Sequence, residues 1–124
     1  MNDDIQVKSN IKLLKNILAT FKIRKILKKE FNLTLDNYLV LIYLNEYQNE
    51  QKMYFMTDII NYIGIDQSRI VKSVKFLSKR GFLEKSRDPE DGRNVIINVT
   101  DNQQREINHL LKQIFNCIFK IKNE

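Results

Sequence analysis

The spacing of apolar positions changes several times along the chain, and each change marks an element. Between residues 5 and 30, Ile11, Leu14, Leu18 and Phe21 recur at helical spacing, with Leu13 and Ile17 beside them, which predicts a first helix. Lys12, Lys15, Lys22, Lys25 and Lys29 read as its other face. Thr34 is a suitable N-cap for a second helix, Leu35 to about Tyr47, because its hydroxyl can accept from a free N–H of the first turn. That helix is apolar on nearly all sides from Tyr38 to Leu44, as a buried central helix should be. After the polar loop 48–51, Lys52 to Met56 reads as a short strand.

A third helix is predicted from about Thr57 to Tyr62, ended by Gly64, and a fourth from an Asp66 cap to about Arg80, ended by Gly81. Glycine suits the left-handed residue that closes a helix. Two helices across so short a turn outline a helix-turn-helix, about 57–80. Phe82–Arg87 and Asn94–Val99 flank a turn carrying Asp88, Pro89, Asp91 and Gly92, the signature of a β-hairpin over about 82–99. Thr100 followed by Gln103 is a capping box, with cap and third helical residue bonding reciprocally. It opens a last helix, about 101–122, with Ile107, Leu111, Ile114, Ile118 and Ile121 on one seam. This order predicts a mostly α fold with a small β-hairpin, a winged helix-turn-helix occupying residues 1–124 as one domain.

Composition then narrows the function. A length of 124 residues fits one core. No apolar run reaches the roughly 18 residues of a membrane span, and the polar, acidic start carries no secretory signal, so the cytoplasm is expected. Cys117 is the only cysteine and His109 the only histidine; a zinc site or a Cys-His or Ser-His-Asp centre has too few candidates. The only glycines are Gly64, Gly81 and Gly92, so no glycine-rich phosphate loop exists. An enzyme is not expected, nor is a cofactor, a metal or a small-molecule ligand.

The net charge of +6 points to a polyanionic partner, and its distribution sharpens the point. Basic residues concentrate in 8–30 and 69–93, whereas 34–68 holds Asp36, Glu46, Glu50, Asp58 and Asp66 against Lys52 alone. On the fourth helix, Ile70, Val74 and Leu77 share an inward face; Ser68, Lys72, Lys75 and Lys79 point outward, with Arg69 at the margin. Gln67 and Ser68 open that helix, and with Arg69 and Lys72 they are expected to lie closest to base edges in the major groove. Gln suits adenine and Arg or Lys guanine. Arg87, Asp91 and Arg93 belong to the wing, whose cations would meet phosphates. Asp91 is expected to fix the turn by accepting from Arg93 or from turn N–H groups. Phe76 has no evident place in this scheme. The expected partners are double-stranded DNA and a second copy of the chain. Ile11, Leu14, Leu18 and Phe21 with Ile107, Leu111, Ile114 and Ile118 are the expected dimer interface, because a small domain leaves such seams exposed.

Particular stretches carry a resemblance. Leu27-Lys28-Lys29-Glu30-Phe31, Asn37-Tyr38-Leu39-Val40-Leu41, Asp58-Ile59-Ile60-Asn61, Ile70–Lys75, Leu77-Ser78-Lys79 and Arg93-Asn94-Val95-Ile96 resemble the staphylococcal accessory regulator (SarA-like) family. Leu33–Tyr38 and Ile65–Arg69 resemble its SarT branch. The likeness runs from about Ile11 to Leu111. It implies dimeric winged-helix proteins, related to the MarR-like regulators, that bind AT-rich promoters of virulence genes. By position, Arg87 and Arg93 match the wing arginines that the family uses on DNA. The family's Asp-Glu-Arg triplet reads Asp91-Gly92-Arg93 here. A redox cysteine found in the first helix of some members is replaced at about Asn10, so that mechanism does not carry over. Cys117 is read as a buried small apolar residue.

Two other classes compete. A basic helical module could bind another regulator without touching DNA, since fold does not fix function; Arg87 and Arg93 beside a tight turn, with lysines on the outward helix face, argue for DNA. A basic amphipathic membrane binder fits residues 8–30 alone but not the buried second helix and the hairpin.

Overall fold

The computed structural model describes residues 2–123, and side chains within 3–120. Helix α1 runs Asn2–Ile26 and continues through a wide π turn, Leu27–Phe31. Then follow α2 (Leu35–Glu46), β1 (Met53–Phe55), α3 (Met56–Ile63), α4 (Gln67–Lys79), β2 (Glu84–Arg87), β3 (Val95–Asn98) and α5 (Asp101–Asn123). The sequence signals set these boundaries. At Thr34 and Thr100 both predicted caps form: the Thr34 hydroxyl accepts from Asn37 N–H at 3.1 Å and the Thr100 hydroxyl from Gln103 N–H at 3.1 Å. The reciprocal side-chain bonds run from Thr34 N–H to Asn37 Oδ1 and from Thr100 N–H to Gln103 Oε1. Gly64 closes α3 in the left-handed region, φ 74°, where a Cβ would be strained.

The core is continuous. Leu27, Leu33, Val40, Leu41, Leu44, Ile59, Ile70, Val74, Leu77 and Ile97 are all essentially inaccessible. Helix α2 lies at the centre, packed on α3, α4 and α5. Strand β3 is the middle of a three-stranded antiparallel sheet, with Tyr54 opposite Ile97 on one side and Lys85 opposite Ile97 on the other. The short strand β1 therefore anchors the wing to the body. Polar bonds lock the joints: the Tyr54 hydroxyl donates to the Leu44 carbonyl at 2.6 Å, and Gln104 Nε2 donates to the same carbonyl at 3.1 Å.

The terminal helices depart from expectation. Every side chain from Asp3 to Ala19 is exposed, and the lysines of α1 do not form an opposite face. At 100° per residue, Lys22 and Lys25 fall within about 40° of Leu18. On α5, Ile107 and Ile114 are fully buried in the protomer's own core. They have no surface to give a second chain, which corrects their assignment to a dimer interface. Leu111 and Ile118 are half-buried against the same core. The side chain of Ile121 lies outside the described residues. Among the described residues, the exposed large apolar side chains of α5 are Phe115 and Phe119, tilted against each other with ring centroids 4.5 Å apart. Cys117 is half-buried rather than buried. No helix among the described residues is long and apolar enough to cross a membrane.

Candidate nucleic-acid interface

Helix α4 is two-sided as its sequence requires. Ile70, Val74 and Leu77 are fully buried, while Gln67, Ser68, Arg69, Lys72, Lys75 and Lys79 are exposed. Asp66 occupies the N-cap position, but its carboxylate makes no cap bond; its carbonyl accepts from Arg69 N–H at 3.0 Å and Ile70 N–H at 3.3 Å. The start of α4 is thus closed by backbone bonds, without a side-chain cap.

Two contacts that the local sequence does not announce dock α4 onto α2. Ser73 is buried, and Asn37 Nδ2 donates to its hydroxyl at 3.0 Å. Arg69 grips Asp36 with two bonds, Nε to Oδ2 at 2.9 Å and Nη2 to Oδ1 at 2.7 Å. Hydrogen bonding to Asp36, then its charge, raises the Arg69 pKa. Arg69 is therefore not a free reader of bases. Its fork is half committed, and Nη1 with the second Nη2 hydrogen is what remains. Phe76, left unplaced by sequence, is half-buried against the core, and Arg80 lies over its ring at 5.4 Å.

In the wing every β2 side chain is exposed. Lys85 is among them, a further cation beside those expected from sequence, and strand alternation was the signal that could have found it. Asp88 N–H donates to Asn94 O at 2.9 Å and Asn94 N–H to Asp91 O at 3.0 Å, closing the loop. The crowded acids turn inward on the backbone: Glu90 N–H donates to Asp88 Oδ1 at 3.0 Å and Arg93 N–H to Asp91 Oδ1 at 3.1 Å. Asp91 also receives Arg93 Nε at 3.4 Å. The expected local pairing of Asp91 is what the turn contains. Arg87 Nη1 reaches across to Gly92 O at 3.3 Å. The Arg93 side chain stays 93% exposed, held by its stem with its outer nitrogens free of that carboxylate.

Ile11, Leu14, Leu18 and Phe21, the α1 half of the expected dimer seam, are each about half exposed. Among the described residues, no three His, Cys, Asp or Glu side chains cluster to hold a metal ion.

Comparison with known proteins places this geometry. A family model described as transcriptional regulator SarA/Rot matches residues 22–110. The HTH-type transcriptional regulator SarT of Staphylococcus aureus (strain NCTC 8325 / PS 47) is 62% identical over 112 residues, covering 90% of this chain and 95% of that protein. Reduced AbfR bound to DNA superposes with a TM-score of 0.66 at 25% identity, over 97% of this chain and 81% of the other. Sco3205, a MarR family transcriptional regulator from Streptomyces coelicolor in complex with DNA, shares the fold, with a TM-score of 0.74 at 19% identity over 93% and 71% of the two chains.

Proposed function

The chain belongs to the SarA/Rot family of transcriptional regulators, and from that membership we propose that it binds double-stranded DNA with sequence preference. The observation that carries the reading is α4, with one face wholly buried and the other offering Gln67, Ser68, Lys72, Lys75 and Lys79 to solvent. In this reading Gln67 and Ser68 meet base edges. Lys72, Lys75 and Lys79 steady the helix on phosphates, and Arg69 contributes only the donors that Asp36 leaves free. The wing lays Arg87 and Arg93 along the neighbouring backbone, with Asp91 aiming Arg93. A DNA-bound protein of the same fold supports DNA as the partner.

The whole of residues 1–124 acts as one winged-helix unit, in the cytoplasm, as a homodimer joined through α1 and the outer side of α5. The likeness to the staphylococcal accessory regulators extends the reading to virulence-associated genes at AT-rich promoters. There a narrow minor groove deepens the negative potential that draws an arginine.

A salt titration on promoter fragments tests the proposal. Specific binding should exceed random-sequence binding, and Arg93→Ala should lower the slope of log K against log salt by about 0.9 for each phosphate that the arginine neutralises. Equal binding of promoter and random DNA would deny the sequence preference, an unchanged slope with unchanged affinity would leave Arg93 a structural residue of the wing, and no binding to either DNA would favour a module that contacts another regulator instead.

A further inference from the structure

Between α2 and α3 lies a cluster that the DNA reading does not use. Tyr43 and Tyr47 sit one turn apart on α2, and Tyr62 rises from α3 to meet both. The three ring centroids form a triangle: 4.9 Å from Tyr43 to Tyr47, 5.3 Å from Tyr43 to Tyr62, and 5.1 Å from Tyr47 to Tyr62. Tyr54 of β1 stands edge-on to Tyr43 at 6.1 Å. Tyr47 and Tyr62 are 47% and 63% exposed. The triangle borders a cavity of about 420 Å³ completed by Leu39, Ile42, Ile63 and Glu46. A second hollow of about 310 Å³ shares Tyr43 and Tyr47 and has Asp58 on its wall.

The charge around these rings is the reverse of the molecule's. The chain carries +6 overall, yet its only base between residues 34 and 68 is Lys52. Lys52 is committed to Asp101. Neither Glu46 nor Asp58 forms an ion pair among the described residues. Burial, then Asp58 and Tyr62, raises the Tyr43 pKa, and a hydrogen bond with Tyr62 leads the rise at Tyr47.

Tyrosine rings that border a hollow beside carboxylates without an ion pair attract a positive charge wherever a ring face stays open to it, the principle by which aromatic cages hold quaternary ammonium groups. An anion would be repelled by Glu46 and Asp58. A hard metal ion would want several converging oxygens, and the described residues gather no such set. The volume is near the low end of small-molecule sites, which run from roughly 300 to 1,000 Å³. We propose that the cavity framed by Tyr43, Tyr47, Tyr62 and Glu46 is a binding site for a small organic cation of the substituted-ammonium class. The site uses none of the side chains assigned to DNA, so it stands or falls separately from that assignment.

The test uses the whole protein without DNA, choline as the cation, and 3,3-dimethylbutan-1-ol as its uncharged isostere. The chain lacks tryptophan and three of its five tyrosines line the site, so tyrosine fluorescence follows binding, and NMR shifts of the tyrosine rings locate it. Choline should bind saturably, shift the Tyr43, Tyr47 and Tyr62 signals, and bind about tenfold or more tighter than the alcohol. Tyr62→Ala should lose about tenfold in choline affinity, while Tyr62→Phe, which keeps the ring face, should stay within about threefold. Glu46→Gln should weaken choline and leave the alcohol unchanged. Tyr62 and Glu46 are both exposed, so the variants keep their fold, which circular dichroism checks. No saturable response to choline, equal binding of choline and alcohol, or equal losses in Tyr62→Ala and Tyr62→Phe overturns the proposal.

Discussion

Asp36 and Arg69 show how much a single pair can redirect a reading. Sequence alone put Arg69 among the base-reading residues because it lies in the first turn of α4. The structure gives half of its guanidinium to a carboxylate 33 residues earlier, a link no local pattern reveals. Asp36→Ala leaves every α4 side chain in place, yet it should reduce the ratio of promoter to random binding by about three- to tenfold, the size of a coupled neighbour. The ratio is measured by competition on DNA fragments. An unchanged ratio would make the pair a simple surface tie. Lys52 and Asp101 form a second long-range pair, at 2.9 Å. The Lys52 hydrogen bond, then its charge, holds the Asp101 carboxyl below its usual range. A carboxyl depressed by folding stabilises above its unfolded pKa, and that contribution fades as pH falls through the lower folded one. Lys52→Met should therefore flatten the acid limb of melting temperature against pH, between about pH 5 and pH 2. Both side chains are more than half exposed, so the change is small. Superimposable acid limbs in thermal melts would deny the linkage.

At the scale of elements, helix ends were the most legible feature. Thr34, Gly64, Gly81 and Thr100 act through bonds and backbone angles within a few residues, so their signal is complete in the local sequence. Gln103 does more than cap. Its Oε1 accepts from Thr100 N–H while its Nε2 donates to Gly81 O at 3.1 Å, tying the start of α5 to the turn that follows α4. Thr100→Ala should cost about 1 kcal/mol, within the usual 0.5–2 kcal/mol for a lost cap, read from urea denaturation midpoints. A loss near zero would mean that water replaces the hydroxyl. The π turn at Leu27–Phe31 was not legible, because Leu-Lys-Lys-Glu-Phe reads as ordinary helix. Its shape is settled by burial on either side of it, with Leu27 and Leu33 both in the core, and by Asn32 closing it in the left-handed region at φ 54°.

For the whole molecule, periodicity told which residues are apolar on one face but not what that face meets. Ile107 and Ile114 on α5 and Leu14 and Leu18 on α1 carry the same signal. Only packing separates them, the first pair into the core and the second onto the surface. That difference gives the proposed dimer its test. Leu18 is about half exposed, so Leu18→Glu should leave the protomer folded and weaken association by roughly a hundredfold or more, since two-fold symmetry places two charges in one apolar contact. Ile114→Glu should instead unfold the protomer. Sedimentation and circular dichroism together separate the outcomes. A wild-type monomer at tens of micromolar, or a Leu18→Glu dimer as tight as wild type, would move the interface away from α1.

The wide turn at the end of α1 also sets an angular phase. A π turn takes in one more residue than an α turn, and each residue of an α-helix advances the azimuth by 100°. Leu33, beyond the turn, is fixed in the core, so the direction in which Leu14 and Leu18 face is set by the residue count between them and that anchor. Dropping one residue from Lys28–Glu30 would leave every apolar side chain of α1 present but would swing the helix by about 100° about its own axis. In the proposed dimer, the orientation of the two protomers, and with it the separation of their α4 helices, would then be set by the length of the turn and not by the chemistry of the residues that touch.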